Sequence, residues 1–201
     1  GTDLVAVAAL NGPETTVLSG APEAIRGIAE TLDRAGVFAQ VIETVDFASH
    51  SPQMGGPSVA LGAAVADLCP SIPSVRMIST VTGKLVDEPL GADYWARNLR
   101  SMVQFTVGLD LALDEGAGRF IEVAGHPAVK GAIQEVVDAR GSGALVVKSL
   151  HNAAGRAEAM LTNLATLYLA GTEVDWSGVF PTGAPKIDLP AIPWEHQRYW
   201  L

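Results

Sequence analysis

Between Asp3 and Glu43 the hydrophobic pattern of the chain changes period repeatedly, and the order of those changes narrows the available folds more than any other feature. Asp3–Asn11 is a run of valine and small residues, Asn11-Gly12-Pro13 is a turn signal, and Thr15–Ser19 is a second short run. Two such runs around a Gly-Pro turn are expected to pair as antiparallel strands. Ala21-Pro22-Glu23 then opens a helix. Proline is tolerated in the first turn, where its missing N–H has no partner to lose, and glutamate suits the positive helix end. Ile25, Ile28, Ala29, Leu32 and Ala35 recur at helical spacing, and Gly36 supplies the stop. Val37–Glu43 reads as a third strand. Strand, strand, helix, strand is most of a small ferredoxin-like α+β unit.

Further on, helix and strand patterns alternate. Val59–Leu68 is an Ala/Leu/Val helix ended by Pro70, and Arg76–Thr82 is a β-branched strand closed by Gly83. Asp93–Arg100 and Val103–Glu115 read as consecutive helices, Phe120–Ala124 as a strand, Ala128–Ala139 as a helix, Leu145–Leu150 as a strand and Ala157–Ala170 as a long amphipathic helix. That alternation implies an α/β layer with a partly parallel sheet. From Gly171 on, Pro181, Pro185, Pro190 and Pro193 preclude a long regular element. Gly171–Leu201 therefore reads as an extended strap, expected to be anchored to the body by Trp194, Tyr199 and Trp200.

Composition excludes several classes. With 48% hydrophobic and 17% charged residues the chain can bury a core and is not disordered. Its 22 acidic against 13 basic residues leave a net charge of −9, so a nucleic-acid backbone is an unsuitable partner. Leu4–Leu10 is far shorter than the roughly 20 residues of a spanning helix and lacks the basic flank of a signal peptide. A single cysteine, Cys69, leaves no internal disulfide or cysteine cluster, which points to a reducing, cytoplasmic setting. The chain starts Gly-Thr-Asp with no methionine and is expected to be a piece of something longer.

One loop stands out for chemistry. Ala48-Ser49-His50-Ser51 follows Val45-Asp46-Phe47 at the seam between the two patterns, where a histidine is placed for general-base work. The plainer alternative is a histidine that only bonds its own loop. His50, His126, His151 and His196 are too far apart for metal-ligand spacing. Glu122, in Phe120-Ile121-Glu122-Val123-Ala124-Gly125-His126-Pro127, reads as a solvated or salt-bridged strand residue ahead of a helix start. Tyr94–Arg100 reads as an aromatic-anchored surface helix. A Ser-His enzyme needs a serine on a tight strand-to-helix turn, usually Gly-x-Ser-x-Gly, and no such pentapeptide occurs in these 201 residues.

Taken in order, Ala9–Pro13 with Val17–Gly20, Val45–Gln53, Ile78–Gly83, Tyr94-Trp95 with Arg97–Leu99, Phe120–Val123 with His126-Pro127, and the tail Asp188–Pro190 with Gln197–Leu201 resemble the acyltransferase domain of type I modular polyketide synthases, over about its C-terminal two-thirds. The resemblance implies an α/β fold: part of a hydrolase-like large subdomain over 48–170, most of a ferredoxin-like small subdomain over 1–47, and an extended linker over 171–201. It also implies a ping-pong acyl transfer from an α-carboxyacyl-coenzyme A, through an acyl-serine, to the phosphopantetheine thiol of an acyl carrier protein.

In that frame His50 is the base, and Gln104 sits where a backbone carbonyl orients the histidine. Asn11 is a candidate substrate-pocket residue. Phe47-Ala48-Ser49 set extender choice: Tyr-Ala-Ser-His accompanies methylmalonyl and His-Ala-Phe-His malonyl, so Phe47-Ala48-Ser49-His50 points to methylmalonyl. The serine elbow, the oxyanion-hole glutamine and the carboxylate-binding arginine are expected before Gly1. No tightly bound cofactor, metal or membrane is implied. The partners are the carrier protein, the upstream half of the domain and a ketosynthase in the same polypeptide. The alternative is a catalytically incomplete fragment serving as a structural docking platform in the megasynthase.

Overall fold

A computed structural model describes residues 4–43, 45–125, 127–150, 156–180, 183, 187–193 and 197–200. The hairpin expected from the first runs is present: β1 (Val5–Leu10) and β2 (Thr16–Gly20) pair antiparallel from Val5↔Gly20 to Leu10↔Thr16, with an irregularity between Val7 and Ala9. Its turn is tied to a distant helix. Thr15 Oγ1 donates to both Glu135 carboxylate oxygens at 2.7 and 2.9 Å. A Cβ on Gly12 would meet that carboxylate, which would have to swing away from Thr15 to admit it.

Helix α1 (Pro22–Arg34) begins at the anticipated proline. Ile25, Ile28, Ala29 and Leu32 form its half-buried stripe, as their spacing requires. It ends where Gly36 takes φ +74° and the Val37 N–H bonds back to the Leu32 carbonyl at 2.9 Å.

The third strand expected over Val37–Glu43 is not formed. Residues 37–43 run as irregular chain with Phe38 89% exposed. The β1 edge that β2 leaves free is bridged at Ala9 by Val103, whose N–H donates to the Ala8 carbonyl at 2.8 Å and whose carbonyl accepts from Leu10 N–H at 3.1 Å.

The middle of the chain contains α2 (Gly55–Ala64), the short antiparallel pair β3 (Ile78–Ser79) and β4 (Lys84–Leu85), α3 (Ala92–Arg100) and α4 (Phe105–Asp114). The anticipated Arg76–Thr82 strand is thus a tight hairpin that turns at Gly83, at φ +68°. Helix α2 starts and stops four residues before the anticipated Val59–Leu68. Then come β5 (Arg119–Glu122), α5 (Lys130–Ala139) and β6 (Leu145–Lys148), with β5 and β6 parallel from Arg119↔Leu145 to Glu122↔Lys148. A helix joining parallel neighbours is the βαβ unit that the alternation implied, and the chain is α/β.

The core sits between that unit and α4. Leu109, Ile133, Val136, Val137, Ala144 and Val146 form one buried cluster, with Phe105, Leu113, Phe120 and Val129 packed around it. Arg140 clasps α4 to α5 from outside through Asp110 and Asp114. Those two carboxylates raise its guanidinium pKa further, although the site is exposed and adds little stability.

Glu122 departs from its expected solvated place on the strand. It is 7% exposed, and its Oε1 accepts the N–H groups of Ala128 and Val129 at 2.6 and 3.0 Å. The carboxylate therefore collects backbone donors at the start of α5, where a helix leaves N–H groups without partners and favours negative charge.

Helix α6 (Arg156–Leu169) completes the regular elements. The strap is anchored by aromatics other than those expected. Trp176 meets Tyr168 edge-on at 5.3 Å and Phe180 at 6.0 Å, on a short 3-10 turn whose Ser177 N–H is capped by Asp175 at 2.9 Å. The Ser177 side chain and, after it, that backbone N–H lower the carboxyl pKa of Asp175. Tyr199 and Trp200 do not pack on the body: they are 84% and 86% exposed, and among the described residues the Tyr199 hydroxyl bonds its near neighbour Gln197. Trp194, His126, His151 and His196 lie outside the described residues. No described helix is long and apolar enough to cross a membrane.

Candidate active site

The site begins with the anchoring of α3. Tyr94, 7% exposed, places its hydroxyl 2.9 Å from Ser79 Oγ and its ring edge-on to Trp95 at 5.2 Å. On the opposite side Ser58 Oγ of α2 donates to the Ala96 carbonyl at 2.6 Å. The helix called a surface element from its sequence is thus fixed on two sides, and its C-terminal end is held in place.

The last carbonyls of a helix have no partner inside it. Here the histidine loop supplies donors. The His50 N–H donates to the Leu99 carbonyl at 2.9 Å, and His50 Nδ1 lies 3.0 Å from the carbonyl oxygen of Ser101. A carbonyl has no hydrogen to give, so Nδ1 carries the proton of the neutral ring and Nε2 keeps the basic lone pair. The second ring nitrogen is thereby poised to take a proton.

The loop is also strained. His50 has φ +58° and is the sole non-glycine residue at positive φ among the described residues. That backbone region costs a side-chain-bearing residue about 1–2 kcal/mol, and histidine is among the residues enriched there. Ser51, 1% exposed, holds it: its Oγ donates to the Ala48 carbonyl at 2.7 Å and accepts from Gln53 N–H at 3.2 Å. The ring itself bonds Ser101, outside the loop, so the histidine does more than satisfy its own turn.

Gln104 does not present its carbonyl to His50. That oxygen accepts the Gly108 N–H at 3.1 Å as α4 begins, and Ser101, three residues earlier, holds the position instead. The Gln104 side chain turns the other way, Nε2 donating to the Val81 carbonyl at 2.9 Å. Of the residues before the histidine, Ala48 is buried, Ser49 half-buried and Phe47 58% exposed. Asn11 closes the β1–β2 turn through its N–H to the Thr15 carbonyl at 3.0 Å; its link to the histidine is indirect, through Leu10 and Val103.

Ser101 and Ser51 are the residues that sequence reasoning missed. A backbone acceptor leaves no trace in residue type, whereas a serine directly after a loop histidine is a readable capping signal. An open pocket of about 570 Å³ reaches Pro52, Ser101, Arg97 and Arg100, but His50 does not line it.

Residues 1–174 match the acyl transferase domain family. Polyketide synthase GfsA of Streptomyces halstedii is 40% identical over 200 residues, 98% of this chain and 3% of that protein. Erythronolide synthase EryA2 of Saccharopolyspora erythraea is 38% identical over 202 residues, 99% of this chain and 6% of that protein. Among solved structures, the acyltransferase domain from module 8 of the salinomycin polyketide synthase superposes with a TM-score of 0.83 at 38% identity, covering 87% of this chain and 41% of that one. The acyltransferase domain from the second module of the same synthase gives 0.82 at 32%, covering 94% and 44%. The chain thus spans a small fraction of the synthases and less than half of each of these two domains. With the family model covering most of its length, the chain belongs to the acyl transferase domain family, in the form carried by modular polyketide synthases.

Proposed function

We propose that His50 is the general base of an acyltransferase that loads an α-carboxyacyl extender unit, methylmalonyl, from coenzyme A onto an acyl carrier protein. The observation that carries this reading is the Nδ1 contact to the Ser101 carbonyl, which leaves Nε2 as the base. Nε2 takes the proton of a serine hydroxyl as its oxygen attacks the thioester carbonyl. The tetrahedral adduct collapses to the acyl-serine ester, and the imidazolium returns its proton to the departing coenzyme A thiolate. The phosphopantetheine thiol of the carrier protein then gives its proton to Nε2 and attacks the ester, and the serine leaves with that proton.

The serine comes from a part of the acyltransferase domain outside these 201 residues. Two observations support this. No Gly-x-Ser-x-Gly occurs in the sequence, and the chain covers 41% of the salinomycin module 8 domain. Apolar surface agrees: Val59, Val123 and Leu169 are 74%, 85% and 84% exposed. Parallel strands are ordinarily covered on both faces, yet Ile121 of β5 is 52% exposed. The reading keeps residues 1–47 as a small subdomain, 48–170 as part of the large one and 171–201 as linker, in a cytoplasmic polypeptide that also carries a ketosynthase. For the 201 residues by themselves, the missing nucleophile motif favours a structural docking role.

The test is a two-step chase. The complete domain, loaded with labelled methylmalonyl-coenzyme A and freed of excess, is mixed with carrier protein bearing phosphopantetheine or lacking it. Label is expected to move only to the phosphopantetheinylated form; label that stays on the domain, or passes to both forms, overturns the reading.

A further inference from the structure

We infer that Gln104 is a positioning residue for His50 acting through its side-chain amide, which closes a ring of hydrogen bonds that starts and ends on α3; this rests on the reading of His50 as base. The ring can be followed atom by atom. Tyr94 of α3 meets Ser79 Oγ at 2.9 Å, and Ser79 Oγ accepts the Val81 N–H at 3.1 Å. The Val81 carbonyl accepts Gln104 Nε2 at 2.9 Å. From Gln104 the chain runs back three residues to Ser101, whose carbonyl faces His50 Nδ1 at 3.0 Å, and the His50 N–H returns to Leu99 of α3 at 2.9 Å.

The residues between α3 and α4 have no helical or strand ladder of their own, so their position depends on these clamps. Val103 is held on the β1 side by Ala8 and Leu10. On the hairpin side the clamps are the Gln104 N–H to the Thr80 carbonyl, at 2.7 Å, and the Gln104 amide. Gly83 borders that amide: at φ +68°, a Cβ there would lie 2.8 Å from Val107 Cγ1 and 3.2 Å from Gln104 Oε1. Without the amide bond the backbone clamps remain and the fold persists, but the acceptor of the histidine is held from one side less. Misplacing a catalytic group by about 1 Å costs on the order of 10²-fold in rate, so partial loosening is expected to cost roughly tenfold.

The requirement is for a donor, and that separates positioning from packing. In the complete acyltransferase domain, Gln104→Glu keeps the shape but turns an acceptor toward the Val81 carbonyl, whereas Gln104→Lys restores a donor. Self-acylation kcat is expected to fall about tenfold in Gln104→Glu, with KM for the acyl-coenzyme A within about twofold. Gln104→Lys should recover to within about threefold of wild type. Both should keep the wild-type melting temperature. Wild-type kcat in Gln104→Glu, or a Gln104→Lys enzyme as slow as Gln104→Glu, overturns the inference. A parallel His50→Asn enzyme keeps the two readings apart: if it acylates normally, the base assignment fails first.

Discussion

Replacing His50 by asparagine in the complete acyltransferase domain is expected to slow self-acylation by about 10²- to 10⁴-fold, the usual contribution of a general base. Asparagine is the informative substitution. His50 sits at φ +58°, a conformation that asparagine tolerates and alanine does not. His50→Ala should lose the same activity, but part of its effect will be the loop relaxing toward an ordinary conformation. The melting temperature of His50→Asn should stay at the wild-type value, because the backbone bond to Leu99 does not depend on the ring. Acylation of either variant within about threefold of wild type contradicts a base at this position.

The second large effect concerns extender choice. Ser49 is half-buried next to the buried Ala48, so the two positions before the histidine carry little volume. Methylmalonyl exceeds malonyl by one methyl group, and a hydrophobic group of that size is worth about 1–3 kcal/mol, or 10–200-fold, in a pocket. Wild type is expected to prefer methylmalonyl-coenzyme A over malonyl-coenzyme A by about tenfold, the low end of that range. Phe47 lacks the hydroxyl of the tyrosine in the related motif and is 58% exposed, so no hydrogen bond from this position sharpens the preference. Ser49→Phe fills the space and should reverse the ratio toward malonyl. Competition between the two substrates, read from the acyl mass on the intact protein, decides it. A malonyl preference in wild type, or an unchanged ratio in Ser49→Phe, contradicts a steric basis for selection.

What was legible in the sequence follows from where the physics is local. The β1–β2 hairpin, α1 with its Pro22 start and Gly36 stop, and the βαβ unit through α5 all carry their own periodicity and punctuation, and all are found. The sequence marks the histidine loop as a candidate by its chemistry alone, a histidine between short polar residues, while the contact of its ring with the Ser101 carbonyl is visible only in the structure. Failures occur where a distant partner decides. Val37–Glu43 has strand-forming residues but pairs with no strand, while Val103, some sixty positions later, bridges the free edge of β1 at Ala9. Glu122 reads as exposed from its alternation alone, yet it is buried because the turn into α5 brings two unpaired N–H groups to it. The resemblance points to Gln104 for the acceptor of His50, whereas Ser101 supplies it, since a main-chain oxygen is the same on every residue. Tyr199 and Trp200 read as anchors of the strap but are exposed; Trp176, close in sequence to Tyr168 of α6, packs against it instead.

The central claim is that this chain holds the base but not the nucleophile of a Ser-His acyl transfer, and intact-mass measurement after incubation with methylmalonyl-coenzyme A tests it most directly. The 201-residue chain by itself should keep its mass. The complete acyltransferase domain should gain one methylmalonyl group on a serine outside these residues, and should lose that gain in His50→Asn. An acyl adduct on the isolated chain, or equal labelling of the complete domain with and without His50, would contradict it.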